Sequence, residues 1–126
     1  MVEVDDILKF VDGVATKVRP QRIVLFGSYA YGTPTEDSDV DFLIIMNYRG
    51  DSADKSAKIR GLVPRPFPMD LLVRTESEIE RRMAGNDFFL KEVIEKGLVL
   101  YDAHDLRMGS QGRRRLRRHL SAAAVA

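Results

Sequence analysis

The run Phe42-Leu-Ile-Ile-Met46, entered through Asp39-Val40-Asp41, constrains the fold more than any other stretch of the chain. Five apolar residues in a row are far too few to span a bilayer. A run from Val40 to Met46 this rich in β-branched and large apolar side chains reads as a central strand. Arg22 to Phe26 reads as a second buried strand that passes directly into Gly27-Ser28, Phe67 to Val73 as a third, and Leu98 to Tyr101 as a short last one.

Helices fill the intervals. Val4, Ile7, Leu8, Val11, Val14, Ala15 and Val18 recur at the three-and-four spacing of one apolar helix face. Asp5 and Asp6 sit at its start and Lys17 and Arg19 at its end, as the helix dipole favours, and Pro20 closes it. Thr75 with Glu78 is a capping-box signature for a helix carrying Ile79 and Met83. Asn86 is expected to start another, with Phe89, Leu90, Val93 and Ile94 inward and Gly97 at its end. Residues 47 to 66 are polar and interrupted by Gly50, Gly61, Pro64 and Pro66, which predicts a mobile connection with a short helix near 53 to 60.

The formal charge of +1 conceals an uneven distribution. Residues 109 to 126 hold five arginines and no acid; 20 basic residues less these five leave 15 against 19 acidic, so the rest of the chain carries about −4. A body of that charge is not a nucleic-acid binder by composition. Beyond Asp105 the apolar pattern stops apart from Leu116 and Leu120. The expected organisation is therefore one domain over 1–108 and a basic, disordered tail over 109–126. With no cysteine, disulfides, thiolate metal sites and cysteine nucleophiles are excluded, and the fold must rest on its core. The acidic N-terminus lacks the basic start of a signal peptide, and the expected location is cytoplasmic.

Chemistry concentrates at Asp39 and Asp41. Alternate residues of a strand share a face, so both carboxylates point the same way, about 7 Å apart, and can jointly hold a hard divalent cation. Alone, such a pair is more often two solvated acids. Gly27-Ser28 shifts that balance, because a glycine at a strand end lets the backbone approach a polyphosphate, and a serine hydroxyl and free N–H groups can bind its oxygens. Asp70 is an acid isolated inside the apolar strand Phe67 to Val73, where it needs either an ion pair from Arg65 or Arg74 or a metal.

Taken together, Gly27-Ser28-Tyr-Ala-Tyr-Gly32, then Asp37-Ser38-Asp39-Val40-Asp41, then Asp70 on a later strand, resemble the minimal nucleotidyltransferases of the DNA polymerase β superfamily. The resemblance covers roughly residues 1 to 103. It implies an α+β fold, a short mixed sheet flanked by helices, with Asp39, Asp41 and Asp70 as catalytic ligands of two Mg²⁺ ions. It further implies that Gly27 and Ser28 hold the phosphates of ATP and that Asp70 helps take the proton of the attacking hydroxyl. Many relatives have arginine where this chain has Tyr31, which leaves Arg22, Lys55 and Lys58 as substitute phosphate contacts.

For an active minimal member, the resemblance implies transfer of AMP to a tyrosine of a HEPN-type toxin protein, as the antitoxin of a toxin–antitoxin pair. The alternatives are a non-catalytic antitoxin acting by occlusion and an enzyme modifying a small molecule. Membrane and nucleic-acid partners are not expected. His104 and His119 read as bystanders, and Phe88-Phe89 as core or as a subunit contact rather than a base-stacking platform, which leaves a homo-oligomer open.

Overall fold

The structure, a computed structural model, describes residues 1–125, with side chains described through 121. Its axis is β2 (Val40–Ile45), in which Phe42, Leu43 and Ile44 are fully buried. Burying three such side chains stabilises the fold by about 1.5–3 kcal/mol each, which is why this strand is central. β2 pairs antiparallel with β1 (Arg22–Phe26) and parallel with β3 (Met69–Arg74), while β4 (Leu98–Asp102) lies antiparallel on the far side of β1. The sheet is mixed, in the order β3-β2-β1-β4.

Six helices surround it among the described residues: α1 (Val4–Lys17), α2 (Ser28–Tyr31), α3 (Ser52–Leu62), α4 (Glu76–Ala84), α5 (Phe88–Lys96) and α6 (Leu106–Val125). The larger core joins Ile7, Val11 and Val14 of α1, Ile59 of α3 and Leu116 of α6 to one sheet face. The smaller core packs Ile79 of α4 and Leu90 and Val93 of α5 on Val24, Leu43 and Ile45 of the other. This is the α+β architecture expected.

The outer edge of β3 is closed by side chains rather than by a further strand. Along β3 the outward carbonyls of Met69, Leu71 and Val73 accept from Arg60 Nη2 at 3.0 Å, Ser56 Oγ at 3.1 Å and Tyr48 Oη at 3.0 Å. An edge whose acceptors are occupied is a poor template for pairing with another chain. The interval 47–66 thus carries a longer helix than expected, capped by Asp51 accepting from the Ala53 N–H at 2.7 Å. β3 starts at Met69 rather than Phe67, because Phe67 leaves the strand to pack edge-on against Phe10.

The C-terminal segment departs furthest from expectation. Residues 109–125, read as a disordered tail, form most of α6, and the helix docks on β4. Position 126 and the side chains from 122 onward lie outside the described residues. Gly109 lies against the backbone of Leu100 and Tyr101, and a Cβ on Gly112 would collide with the carbonyl of Val99. Helix and strand therefore meet backbone to backbone. Leu116 is fully buried beyond them, Arg113 Nε donates to the Leu100 carbonyl at 3.0 Å, and Arg113 and Arg117 pair with Asp12 and Asp5 of α1 at 2.8 and 3.1 Å.

α5 also differs from its expected form. Its N-cap is Asp87, accepting from the Leu90 N–H at 3.0 Å, and Asn86 stands outside at φ 60°. Leu90 and Val93 are buried, but Phe89 is not an inward residue: it is 51% exposed and Phe88 81%.

Candidate active site

Strand direction decides what meets here. β1 runs against β2, and β2 runs with β3, so the C-terminal end of β1 and the N-terminal ends of β2 and β3 share one end of the sheet. Asp41 faces Phe26 in the β1 pairing and Asp70 in the β3 pairing. Register partners project to the same face, so two acids 29 positions apart in the chain (70 − 41) become neighbours. Asp39, two positions earlier and just outside β2, lies near enough for its charge to act on Asp41.

The electrostatics record the crowding. The Asp41 carboxyl is pushed up to about 6, first by burial, then by the charge of Asp70 and a hydrogen bond shared with it, and then by the charge of Asp39. Asp41 is half-buried, whereas Asp39 and Asp70 are exposed. Among the described residues no three His, Asp or Glu side chains are already arranged as a metal cage. The trio is an open set of oxygen donors, two of them register partners and the third exposed two residues before Asp41.

Gly27 ends β1 at φ 75° and ψ −162°, a region closed to residues with a Cβ. A Cβ there would also strike the Asp41 carboxylate. Only glycine can bring this turn so close to the acids. Ser28 follows as the first residue of α2, and Gly27's carbonyl accepts from the N–H groups of Ala30 at 3.0 Å and Tyr31 at 3.2 Å. α2 is braced from behind by α6: His119 Nδ1 lies 2.8 Å from the Ala30 carbonyl.

The ion-pair alternative for Asp70 finds no support. Arg74 turns to Glu78 at 3.9 Å and donates to the Val73 carbonyl at 2.8 Å, while Arg65 Nε is buried without a hydrogen-bond partner. Nor are the three substitute phosphate contacts gathered at Gly27-Ser28. Arg22 sits at the opposite end of β1, bound to Asp102 at 2.9 Å, and Lys55 and Lys58 ride on α3 outside β3, with β2 between it and β1.

Two residues at this end were not legible beforehand. Arg60 grips the carbonyl of Met69, the peptide that leads into Asp70. His119 supports α2 and is no bystander. The only advance signal for either was spacing: Ser52, Ser56 and Arg60 share one face of α3, and His119 falls beside the buried stripe of α6.

Comparison with known proteins agrees with this geometry. The nucleotidyltransferase domain family matches residues 7–101. A Methanocaldococcus jannaschii protein named "putative protein adenylyltransferase" is 35% identical over 107 residues, which span 80% of this chain and 100% of that one. In three dimensions the crystal structure of a "putative nucleotidyltransferase" from Sulfolobus solfataricus superposes with a TM-score of 0.58 over 81% of this chain and 82% of its own, at 18% identity, a likeness of fold alone. With three aspartates gathered beside a glycine turn on this sheet, the chain belongs to the nucleotidyltransferase family and is a nucleotidyltransferase of the polymerase β type.

Proposed function

We propose that this nucleotidyltransferase moves AMP from ATP to a hydroxyl of a protein, with Asp39, Asp41 and Asp70 as the ligands of two Mg²⁺ ions. The observation that carries the reading is the register pairing of Asp41 with Asp70 at the end of the sheet where Gly27 turns. Asp41, partly buried beside two other carboxylates and with no salt bridge to a Lys or Arg among the described residues, is costly unless it does something. The all-oxygen chemistry of the trio suits Mg²⁺, and a Mg²⁺ pair would neutralise charge building on the entering and leaving oxygens of the phosphoryl group.

The chain's own residues divide the remaining work. Gly27 admits the triphosphate to the backbone, and the Ser28 hydroxyl offers a donor to its outer phosphates. The acceptor oxygen attacks the α-phosphorus in line; a P–O bond forms to it and the bond to the β-phosphate bridge breaks, releasing pyrophosphate. Asp70, exposed at the rim, would take the acceptor's proton.

Support for a protein acceptor comes from the name of the 35% identical relative and from the openness of the site, since Asp39 and Asp70 lie at the surface and a macromolecule could close it. The arginine-rich helix is docked and the folded unit is close to neutral, so charge alone does not exclude a nucleic-acid acceptor. Our leading acceptor is a HEPN-type toxin tyrosine. The test mixes the chain, a candidate toxin, ATP and Mg²⁺, and follows AMP additions on the toxin by intact mass alongside its ribonuclease activity. Neutralisation that needs neither ATP nor Asp39, shown with Asp39→Asn, would establish occlusion instead.

A further inference from the structure

The aromatic pair at the start of α5 does no packing work that explains it. Phe88 is 81% exposed and Phe89 51%, although the next residue, Leu90, is buried. Two adjacent exposed phenyl rings on a small domain call for a partner.

Phe89 is nonetheless held in place. Its ring meets that of Phe26 edge-on, with centroids 5.7 Å apart and planes at 85°. Such a contact orients both rings and lowers the entropy lost when a ligand stacks on the outer one. Phe26 is the residue immediately before Gly27 and the register partner of Asp41, so its side chain projects to the same face as that carboxylate. From Asp41 the path over the surface runs to Phe26 and then to Phe89. The carboxylates mark where the α-phosphate would react, and Phe89 follows Phe26 outward from them.

We propose that Phe89, braced by Phe26, is the surface on which the base of the bound nucleotide stacks. The inference rests on the nucleotidyl-transfer reading and adds a nucleoside subsite to it. Every base has a π-face, so a bare phenyl platform contributes affinity without choosing among bases. Nothing in this arrangement reads a hydrogen-bonding edge, and ATP and GTP gain from it alike.

The experiment compares, by calorimetry on the full chain with Mg²⁺, the binding of ATP, GTP and inorganic tripolyphosphate, which carries the charge but no base. Phe89→Ala is expected to weaken ATP and GTP by about 5- to 100-fold and to leave tripolyphosphate unchanged. Phe89→Leu, which keeps apolar volume against Phe26, should lose the same affinity at a nearly unaltered melting temperature, and Phe89→Trp should restore it. Equal ATP affinity in the wild type and Phe89→Leu overturns the proposal, as does a wild type that binds ATP no better than tripolyphosphate; both leave nucleotidyl transfer standing. A dimer that Phe89→Leu converts to monomer at unchanged ATP affinity identifies a subunit contact and overturns it too. A wild type that binds no triphosphate at all overturns the parent reading instead.

Discussion

Two aspartates at opposite ends of this sheet have opposite fates. Asp41, at the end where β1 stops and β2 starts, is crowded by Asp70 and Asp39, and its carboxyl rises to about 6. Asp102, at the end where β4 stops, is only 4% exposed, yet its carboxyl is held below the usual range. Burial alone would raise it. The N–H of His104 at 2.8 Å, Arg22 Nε at 2.9 Å and the N–H of Asp105 at 3.0 Å more than offset that cost. Depth of burial therefore does not distinguish a working carboxylate from a structural one here. The neighbours do: Asp102 is surrounded by donors and ties β4, β1 and the start of α6 together, while Asp41 is crowded by other carboxylates, as the proposed metal site requires.

The hardest blow to the structural end is removal of what Asp102 leads into. A chain truncated before Gly109 loses the cover of β4, the fully buried Leu116 and the brace on α2. Deleting one buried leucine costs about 2–5 kcal/mol, so the truncation should lower the melting temperature by about 10 °C or more, or abolish cooperative unfolding. A melting temperature within a degree or two of the full chain would mean that α6 is dispensable and the comparison misplaced.

At the working end the expected losses are of activity. Asp41→Asn should reduce nucleotidyl transfer by about 10³-fold or more, measured as radiolabelled AMP incorporation, because the site loses several kcal/mol of charge stabilisation. The same variant should be more stable than wild type in one pH window. A folded-state pKa of about 6 against 3.8 unfolded means that ionising Asp41 costs stability as pH rises through that interval. The gain from asparagine is thus absent at pH 3 to 4 and complete, at about 1 kcal/mol after solvent screening, above pH 7. Chemical denaturation at several pH values reads it; a loss of stability at pH 8 would show that Asp41 has a structural partner.

Asp102→Ala should do the reverse, costing about 2–3 kcal/mol at neutral pH with little direct effect on nucleotide binding. Because its folded pKa is depressed, the stability Asp102 supplies is present above the unfolded value and disappears as pH falls through the folded one, so mutant and wild type should converge in strong acid. The smallest effects separate the two histidines. His119→Ala removes the bond to the Ala30 carbonyl and should cost about 1 kcal/mol, whereas His104 contributes its backbone N–H and His104→Ala should change stability by less than about 0.5 kcal/mol. Equal effects in urea titrations would show that His119 does not brace α2.

The amino-acid sequence alone determined the central strand at Phe42–Met46, the leading helix, the cap at Thr75 and the three aspartates with Gly27, because each of these is a local pattern with a local cause. Periodicity places a helix, a β-branched run places a strand, and an acid inside an apolar run announces its own cost. α6 escaped that reading although its stripe is written in the chain: Gly109, Gly112, Leu116 and Leu120 stand at i, i+3, i+7 and i+11. Two of the four are glycines, which signal a break locally and close backbone contact only when a strand is there to be approached. Phe89 misled in the other direction, since apolarity argues for the core and only the packing of α5 shows its ring turned outward. What the tertiary structure decided was pairing. That Asp41 meets Asp70, that Arg22 answers Asp102 rather than a phosphate, and that Phe26 braces Phe89 all follow from strand order and register, which bring together residues with no pattern in common along the chain.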